Sequence, residues 1–343
     1  MTSIIKPAFR MSGTRQACVL LATAAITQTM AAAAHDRTSL TQESFSNMVF
    51  GARFVKRNDV FVPIVTARNL TRTCAMLNVF QRNFLKHNPA DVVVFSLGGD
   101  EDVKGLLSCT AHQLPDPANM SFVDLKQHAR ALGWTTPAHV QDTSLWRHTF
   151  SENFVRVGAW RLTTQFQLAR LFGYRLVMYV DDDSIFPEPV TEPVFDTFYR
   201  RALKMAARVV THDPLFPTVA LPELARFFIV SEQLEPKTLY QHCRPANVSG
   251  LFSASNDNAR EGWDRTIFYS NFAIISVDFY YEPMVQRFVR LAFESGGVFK
   301  HRWNEQGVLS MVWQLFLEPS EYHVYDFKYE HPPGNALGKW FTI

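Results

Sequence analysis

The chain has 343 residues, of which 34 are basic and 32 acidic, and its 47% hydrophobic content can bury a sizeable core and excludes a disordered or fibrous protein. A net charge of +2 lacks the cationic excess that drives binding to a phosphate backbone, which argues against a nucleic-acid partner. The four cysteines, Cys18, Cys74, Cys109 and Cys243, form no CxxC pair, so neither a zinc ribbon nor a dense disulfide framework is suggested, and at most one disulfide is expected.

Lys6, Arg10 and Arg15 precede an apolar run from Ala17 to Ala34, the order of a signal sequence. Its 18 residues sit at the short edge of what crosses a bilayer, and its alanines and threonines weaken insertion. Residues 1–40 are therefore expected to be a signal peptide or a single-pass signal-anchor with a short stem. An organelle transit peptide is the alternative, because no acidic residue appears before Asp36. Three sequons, at Asn69, Asn119 and Asn247, would be glycan acceptors in a secretory lumen.

Val60–Thr66 is a continuous apolar run and predicts a buried strand. After the turn Ala67-Arg68-Asn69, the helical spacing of Leu70, Cys74, Leu77, Phe80 and Phe84 completes a β-turn-α unit. Asp91–Leu97 predicts a second buried strand. Tyr174–Val180 predicts a third, behind a helical pattern through Phe166, Leu168 and Leu171. Strands alternating with helices favour a mostly parallel, doubly wound sheet, whose ligands sit at the carboxyl ends of its strands. Asp181-Asp182-Asp183-Ser184 follows the third strand directly. If the chain stays extended, Asp181 and Asp183 project to one face. Two such carboxylates can hold Mg²⁺ or Mn²⁺ with coordination positions left for diphosphate oxygens. A solvated acidic turn, or the site of a hydrolase or phosphotransferase, would read the same way.

Prolines from Pro187 to Pro245 break the next stretch into short pieces, as substrate loops do. Met284–Glu294 predicts an amphipathic helix stopped at Ser295-Gly296-Gly297. Beyond it come Arg302, suited to clamp a phosphate, Trp303, suited to stack on a sugar, and Glu305, suited to act as a base. A buried tryptophan beside an Arg/Glu salt bridge fits the same residues. Trp160, Arg161 and Trp303 can line a pocket or fill a core. His323 and His331 are isolated histidines, which are usually structural. GxGxxG, GxxxxGK[ST], HExxH and GxSxG are absent, so dinucleotide, P-loop, zincin and serine-hydrolase sites lack their residues.

Taken together, Ser270-Asn271-Phe272-Ala273-Ile274, Gly296-Gly297, Arg302-Trp303, Ser310 and Tyr329-Glu330-His331-Pro332-Pro333 resemble, in order and approximate spacing, the fungal α-1,2-mannosyltransferases of glycosyltransferase family 15. Val65-Thr66-Ala67-Arg68-Asn69 looks like that family's first strand and nucleotide-binding turn, and Asp181-Asp182-Asp183 falls where the family carries Glu-Pro-Asp. The resemblance implies a GT-A nucleotide-diphospho-sugar transferase fold over residues 55–343, a doubly wound mixed sheet in a single domain. It implies a metal-dependent retaining transfer of mannose from GDP-mannose to a glycan or glycoprotein, with Mn²⁺ or Mg²⁺ as cofactor. It places the protein in the Golgi lumen as a type II membrane protein, or secreted. Residue by residue it implies Asp181, Asp183 and His331 as metal ligands, and Thr66, Arg68, Asp181 and Arg302 at the donor. Glu305 stands where the family's Arg-Trp-Gly-Asp ends. The family's glutamate in Ser-Asn-Phe-Glu-Ile is Ala273 here, and alanine cannot attack an anomeric carbon. That leaves front-face displacement, another carboxylate (Glu305 or Asp278), or a catalytically inactive relative that binds a sugar nucleotide or glycan.

Overall fold

The computed structural model describes residues 40–50, 54–67, 70–111, 119–136, 151–244 and 262–331. The chain divides after Leu40 into two units, and the second, Thr41–Ile343, carries everything described below. The basic-then-apolar head, the acceptor Asn69 and Asn247 positions and Arg68 lie outside the described residues.

Eleven strands are named in chain order among the described residues: β1 Val60–Thr66, β2 Asp91–Ser96, β3 Met120–Asp124, β4 Leu176–Val180, β5 Met205–Ala207, β6 Val210–His212, β7 Cys243–Arg244, β8 Gly262–Trp263, β9 Thr266–Phe268, β10 Phe272–Ser276 and β11 Tyr322–Val324. Seven of them form the central sheet in the order β11-β5-β10-β4-β1-β2-β3. The strands β4, β1, β2 and β3 run parallel, whereas β10 is antiparallel to both neighbours, β4 and β5. Four of the six pairings are parallel, so the sheet is mostly parallel, and β10 makes it the mixed sheet that the resemblance implies. Every residue of β1, β2 and β4 is buried, as an apolar run covered on both faces must be.

The expected helix after β1 spans Leu70–Phe80 and continues as a π-helical turn over Gln81–Leu85, which carries Phe84 into the core against Phe80 and Phe186. Cys74 in this helix is bonded to Cys109 in Asp100–Ala111, the one disulfide among the described residues. Cys243 is free. The predicted amphipathic helix is Pro283–Glu294, followed by Gly296 at φ 76°, a left-handed turn that suits glycine.

Antiparallel β10 has a direct consequence for the site. Phe272 pairs with Val180 at one end, and Ser276 with Leu176 at the other. The loop Tyr269–Asn271 therefore lies beside the carboxyl end of β4, while residues after Ser276 lie at its amino end.

Candidate metal and sugar-nucleotide site

The acidic run leaves the sheet at the carboxyl edge and turns at once. The amide of Ser184 donates to the carbonyl of Asp181 at 3.1 Å, and the Asp181 amide donates to Ser184 Oγ at 3.0 Å. Asp181 and Asp183 thus meet through a turn, not through extended alternation. The amide of Ile185 donates to the Glu330 carbonyl and that of Glu330 to the Ile185 carbonyl, at 2.9 and 3.0 Å. This bridge delivers the next residue, His331, to the acids. His331 Nε2 lies 2.8 Å from Asp183 Oδ1 and 3.4 Å from Asp181 Oδ2. One ligand atom from each of the three lies within 4.8 Å of the other two. Tyr269 sets its ring edgewise to His331 at 5.5 Å, and Tyr329 meets Ser184 Oγ at 2.7 Å and donates to the Asn271 carbonyl at 2.7 Å. The segments Tyr269–Asn271 and Tyr329–His331 thereby close the site from both sides.

Arg161, at the end of the helix Glu152–Arg161, ties this triad to the next element. Its side chain is 6% exposed; Nη2 donates to Asp181 Oδ1 at 2.6 Å and Nη1 to Glu305 Oε1 at 2.8 Å. Ser270 Oγ also donates to Glu305 Oε1, at 3.2 Å. Glu305 opens the helix Glu305–Phe316, whose cap is Asn304, with Oδ1 accepting from the Gly307 amide at 2.9 Å. Gly158 leaves room for this arrangement, since a Cβ there would come within 3.1 Å of Glu305 Oε2.

The charges respond to these contacts. Burial raises the Asp181 carboxyl, but the Arg161 guanidinium and His331 outweigh it and hold Asp181 well below the usual carboxylate range. For His331, burial works against the charged ring, and the hydrogen bonds and charge of Asp181 and Asp183 outweigh burial, so its pKa is pushed up to about 9. A histidine of the unfolded chain titrates near pH ~6.5. The stabilisation from this imidazolium is then complete below pH ~6.5 and is lost as pH rises through about 9. Denaturant titrations in EDTA at several pH values should show this loss, and it should vanish in His331→Gln. A divalent cation competes with the same proton, so its affinity should climb by roughly tenfold per pH unit over that window.

Several expected site residues lie elsewhere. Trp160 is 1% exposed, donates Nε1–H to the Leu132 carbonyl at 3.0 Å and packs on Phe95. Trp303 is 2% exposed, donates to the Val219 carbonyl at 2.6 Å, and covers Gly297 so closely that a Cβ there would come within 2.2 Å of its ring. Both tryptophans are core, not pocket walls, because each ring is enclosed and each N–H is spent inside the protein. Asp278 lies away from the acids, so it is not placed to act with them: it follows β10 and lines a cleft of about 440 Å³ with Arg175, Leu176 and Glu282, at the amino end of β4. Thr66 lies at the carboxyl end of β1, on the edge that bears the acids, with its hydroxyl 3.1 Å from that of Thr73. Ala273 is fully buried in β10 between Tyr179 and Ala207. Arg302 is placed with its guanidinium 4.8 Å from the Phe154 ring and 5.5 Å from the Phe216 ring. Asp213, which no motif marks, is a buried carboxyl hydrogen-bonded to Gln306 Nε2 at 3.2 Å. Burial lifts it to about 6 against the opposing pull of Gln306, Arg302 and Arg265.

A mixed sheet with an antiparallel strand inserted beside the acidic strand end, and an Asp-Asp-His triad at that edge, define the GT-A glycosyltransferase fold. Core-mannan synthase A of Aspergillus fumigatus, solved in an Mn/GDP form, superposes with a TM-score of 0.65 at 18% identity over 81% of this chain and 75% of that one. The mannosyltransferase Ktr4p of Saccharomyces cerevisiae superposes with a TM-score of 0.66 at 15% identity, over 88% of this chain and 83% of that one. In sequence, residues 237–336 match the family described as Glycolipid 2-alpha-mannosyltransferase, so the C-terminal part of this chain is mannosyltransferase-like. Curated relatives align over part of the chain. The probable mannosyltransferase KTR4 of Saccharomyces cerevisiae is 28% identical over 102 residues, 27% of this chain and 22% of that one. The O-glycoside alpha-1,2-mannosyltransferase homolog 2 of Schizosaccharomyces pombe is 31% identical over 80 residues, 23% of this chain and 21% of that one. The aligned stretch thus spans about a fifth of each curated relative's length.

Proposed function

We propose that this protein is a metal-dependent retaining glycosyltransferase that moves mannose from GDP-mannose to a glycan or glycoprotein acceptor. The observation that carries the reading is the triad of Asp181, Asp183 and His331 within 4.8 Å at the carboxyl edge of a GT-A sheet. The two carboxylate oxygens suit Mn²⁺ or Mg²⁺, and the imidazole favours the transition metal Mn²⁺ of the two; their convergence fits such an ion. When bound, the ion supplies positive charge for the departing diphosphate. The chain's own contribution is to hold that edge rigid. Arg161 fixes Asp181 and Glu305 in one fork, and Ser270 orients Glu305. Ala273 offers no nucleophile, and Glu305 is pinned by Arg161 and Ser270. This favours direct front-face transfer: the bond from the anomeric carbon to phosphate breaks as the bond to the acceptor oxygen forms, and the leaving phosphate takes the acceptor's proton.

The disulfide Cys74–Cys109 suits an oxidising compartment, in keeping with a secretory lumen and with the basic-then-apolar head. No helix among the described residues is long and apolar enough to cross a membrane.

A thermal-shift panel tests the proposal, because a ligand that binds only the folded chain raises its melting temperature by mass action. GDP and GDP-mannose should stabilise the protein only with Mn²⁺ or Mg²⁺, and mannose should pass to a mannoside acceptor. Binding with neither transfer nor slow donor hydrolysis would favour the inactive relative that Ala273 suggests. No shift with any nucleotide sugar would sink both readings.

A further inference from the structure

The helix Glu305–Phe316 grips the strand and loop beside the acids through one polar face. Gln306, Ser310 and Gln314 recur every four residues and so share a side of the helix, and all three are buried. Gln314 Nε2 donates to the Thr266 carbonyl at 2.7 Å, Ser310 Oγ accepts from the Phe268 amide at 3.1 Å, and Gln306 Oε1 accepts from the Ser270 amide at 3.3 Å. The last of these holds the loop Tyr269–Asn271, which sets Tyr269 against His331, donates through Ser270 Oγ to Glu305 and receives Tyr329 at the Asn271 carbonyl.

A glutamine amide can be reversed end for end, so each one needs a neighbour that fixes its orientation. Gln314 is fixed by Trp263, whose Nε1–H can only donate and does so to Oε1 at 2.7 Å. Gln306 is fixed by Asp213, whose Oδ1 accepts from Nε2 at 3.2 Å. A carboxylate can only accept, so reversing Gln306 would set carbonyl against carboxylate and N–H against the Ser270 N–H. Asp213 does this at the expense of the fold. It is 9% exposed, and its Oδ2 is buried with no hydrogen-bond partner among the described residues, which destabilises a charged oxygen. Burial lifts the carboxyl to about 6, with Glu305 adding to the lift and Gln306, Arg302 and Arg265 pulling the other way. Burial also pushes the Tyr269 hydroxyl up, and Asp181, Asp183 and Asp213 add to that, so Asp213 lies near the same tyrosine as the triad. Asparagine would fill the same space without burying a charge. A local burden of this kind is expected where function, not stability, selects the residue.

Resting on the glycosyltransferase reading, we propose that Asp213 is a positioning residue for the transfer: through Gln306 it holds the loop Tyr269–Asn271, and with it the chain Ser270–Glu305–Arg161–Asp181, in the arrangement that completes the metal edge. Its contribution is alignment, not contact with substrate.

GDP release from GDP-mannose, with Mn²⁺ and methyl α-D-mannopyranoside as acceptor, reads this role beside melting curves and Mn²⁺-dependent GDP binding. Asp213→Asn should lower kcat about fivefold, because two facing amides pair in either orientation and only one of them holds Ser270. KM for GDP-mannose and the affinity for GDP should stay within about twofold. The melting temperature at pH ~7.5 should be equal or higher, since a buried charge has been removed. Gln306→Met should lower kcat about tenfold, and the double variant should also lose about tenfold rather than about fiftyfold, because Asp213 acts through Gln306. The ratio of wild-type to Asp213→Asn kcat should fall toward one as the pH drops below about 6, where Asp213 takes up its proton. Undiminished kcat in Asp213→Asn, multiplied losses in the double variant, or a ratio that does not change with pH would each overturn the role. A melting temperature lowered by Asp213→Asn would mark the carboxylate as structural and overturn it too. A wild-type protein that turns over no GDP-mannose would instead overturn the transferase reading, and this role with it.

Discussion

Asp183→Ala should abolish Mn²⁺-dependent turnover of GDP-mannose while the protein remains folded. Asp183 is 4% exposed, and its Oδ1 is the nearest carboxylate oxygen to His331 Nε2, at 2.8 Å. A buried acid can persist there only because cationic or hydrogen-bonding groups face it. Removing it takes away one of three candidate ligands and leaves Asp181, already shared with Arg161, as the only carboxylate on the imidazole among the described residues. A cation that stabilises a departing diphosphate contributes several kcal/mol to the transition state, so the loss should be on the order of a thousandfold in rate. The fold should persist, because Asp183 lies in a turn outside the strand and the pairings of β4 with β1 and β10 do not include it. The measurement is GDP release against metal concentration, together with a melting curve by circular dichroism. Wild-type turnover in the variant, or turnover in the native protein that survives EDTA, would remove the metal from the mechanism.

Continuous apolar runs were enough for three of the eleven strands named above. Val60–Thr66, Asp91–Ser96 and Leu176–Val180 are apolar runs closed by polar turns, and each is buried on both faces. The placement of Asp181 and Asp183 at a strand's carboxyl end was legible for the same reason. Their meeting geometry was not, because it depends on a turn bonded through Ser184. His331 carries no local signal: it reaches the acids through pairing between Ile185 and Glu330, residues far apart in the chain, and only the family resemblance pointed to it. Asp278 shows the opposite error. It is close in sequence to Asn271, but antiparallel β10 carries it to the far end of the sheet. Tryptophans mislead because a ring that can stack on sugar is also a large apolar core group; what decides is where its N–H goes, and Trp160 and Trp303 donate to internal carbonyls. Asp213 was invisible, since a single aspartate before a proline reads as a turn, and its burial follows from packing of the later helix Glu305–Phe316.

Arg161→Met should cost the metal-free protein about 3–5 kcal/mol, the range for removing one partner of a buried ion pair. The guanidinium is the shared partner of two carboxylates from different elements, Asp181 after β4 and Glu305 at the head of Glu305–Phe316. Burial alone would weaken its charge, and the two acids more than reverse that and keep it firmly protonated. Without it, Asp181 loses the strongest influence holding its carboxyl low, and two acids are left without the cation they share. For a domain of this size the melting temperature should fall by roughly 10 °C. Lysine should recover only part of the loss, because a single ammonium cannot donate in parallel from Nη1 and Nη2 as the planar fork does. Adding Glu305→Gln to Arg161→Met should restore stability relative to the single variant, since it removes one of the stranded charges. Mn²⁺ should narrow the gap between wild type and Arg161→Met, because the cation compensates Asp181 from its other side. Equal melting temperatures for Arg161→Lys and Arg161→Met would show that the fork itself contributes nothing. A double variant no more stable than Arg161→Met would show that Glu305 was never coupled to the arginine in solution.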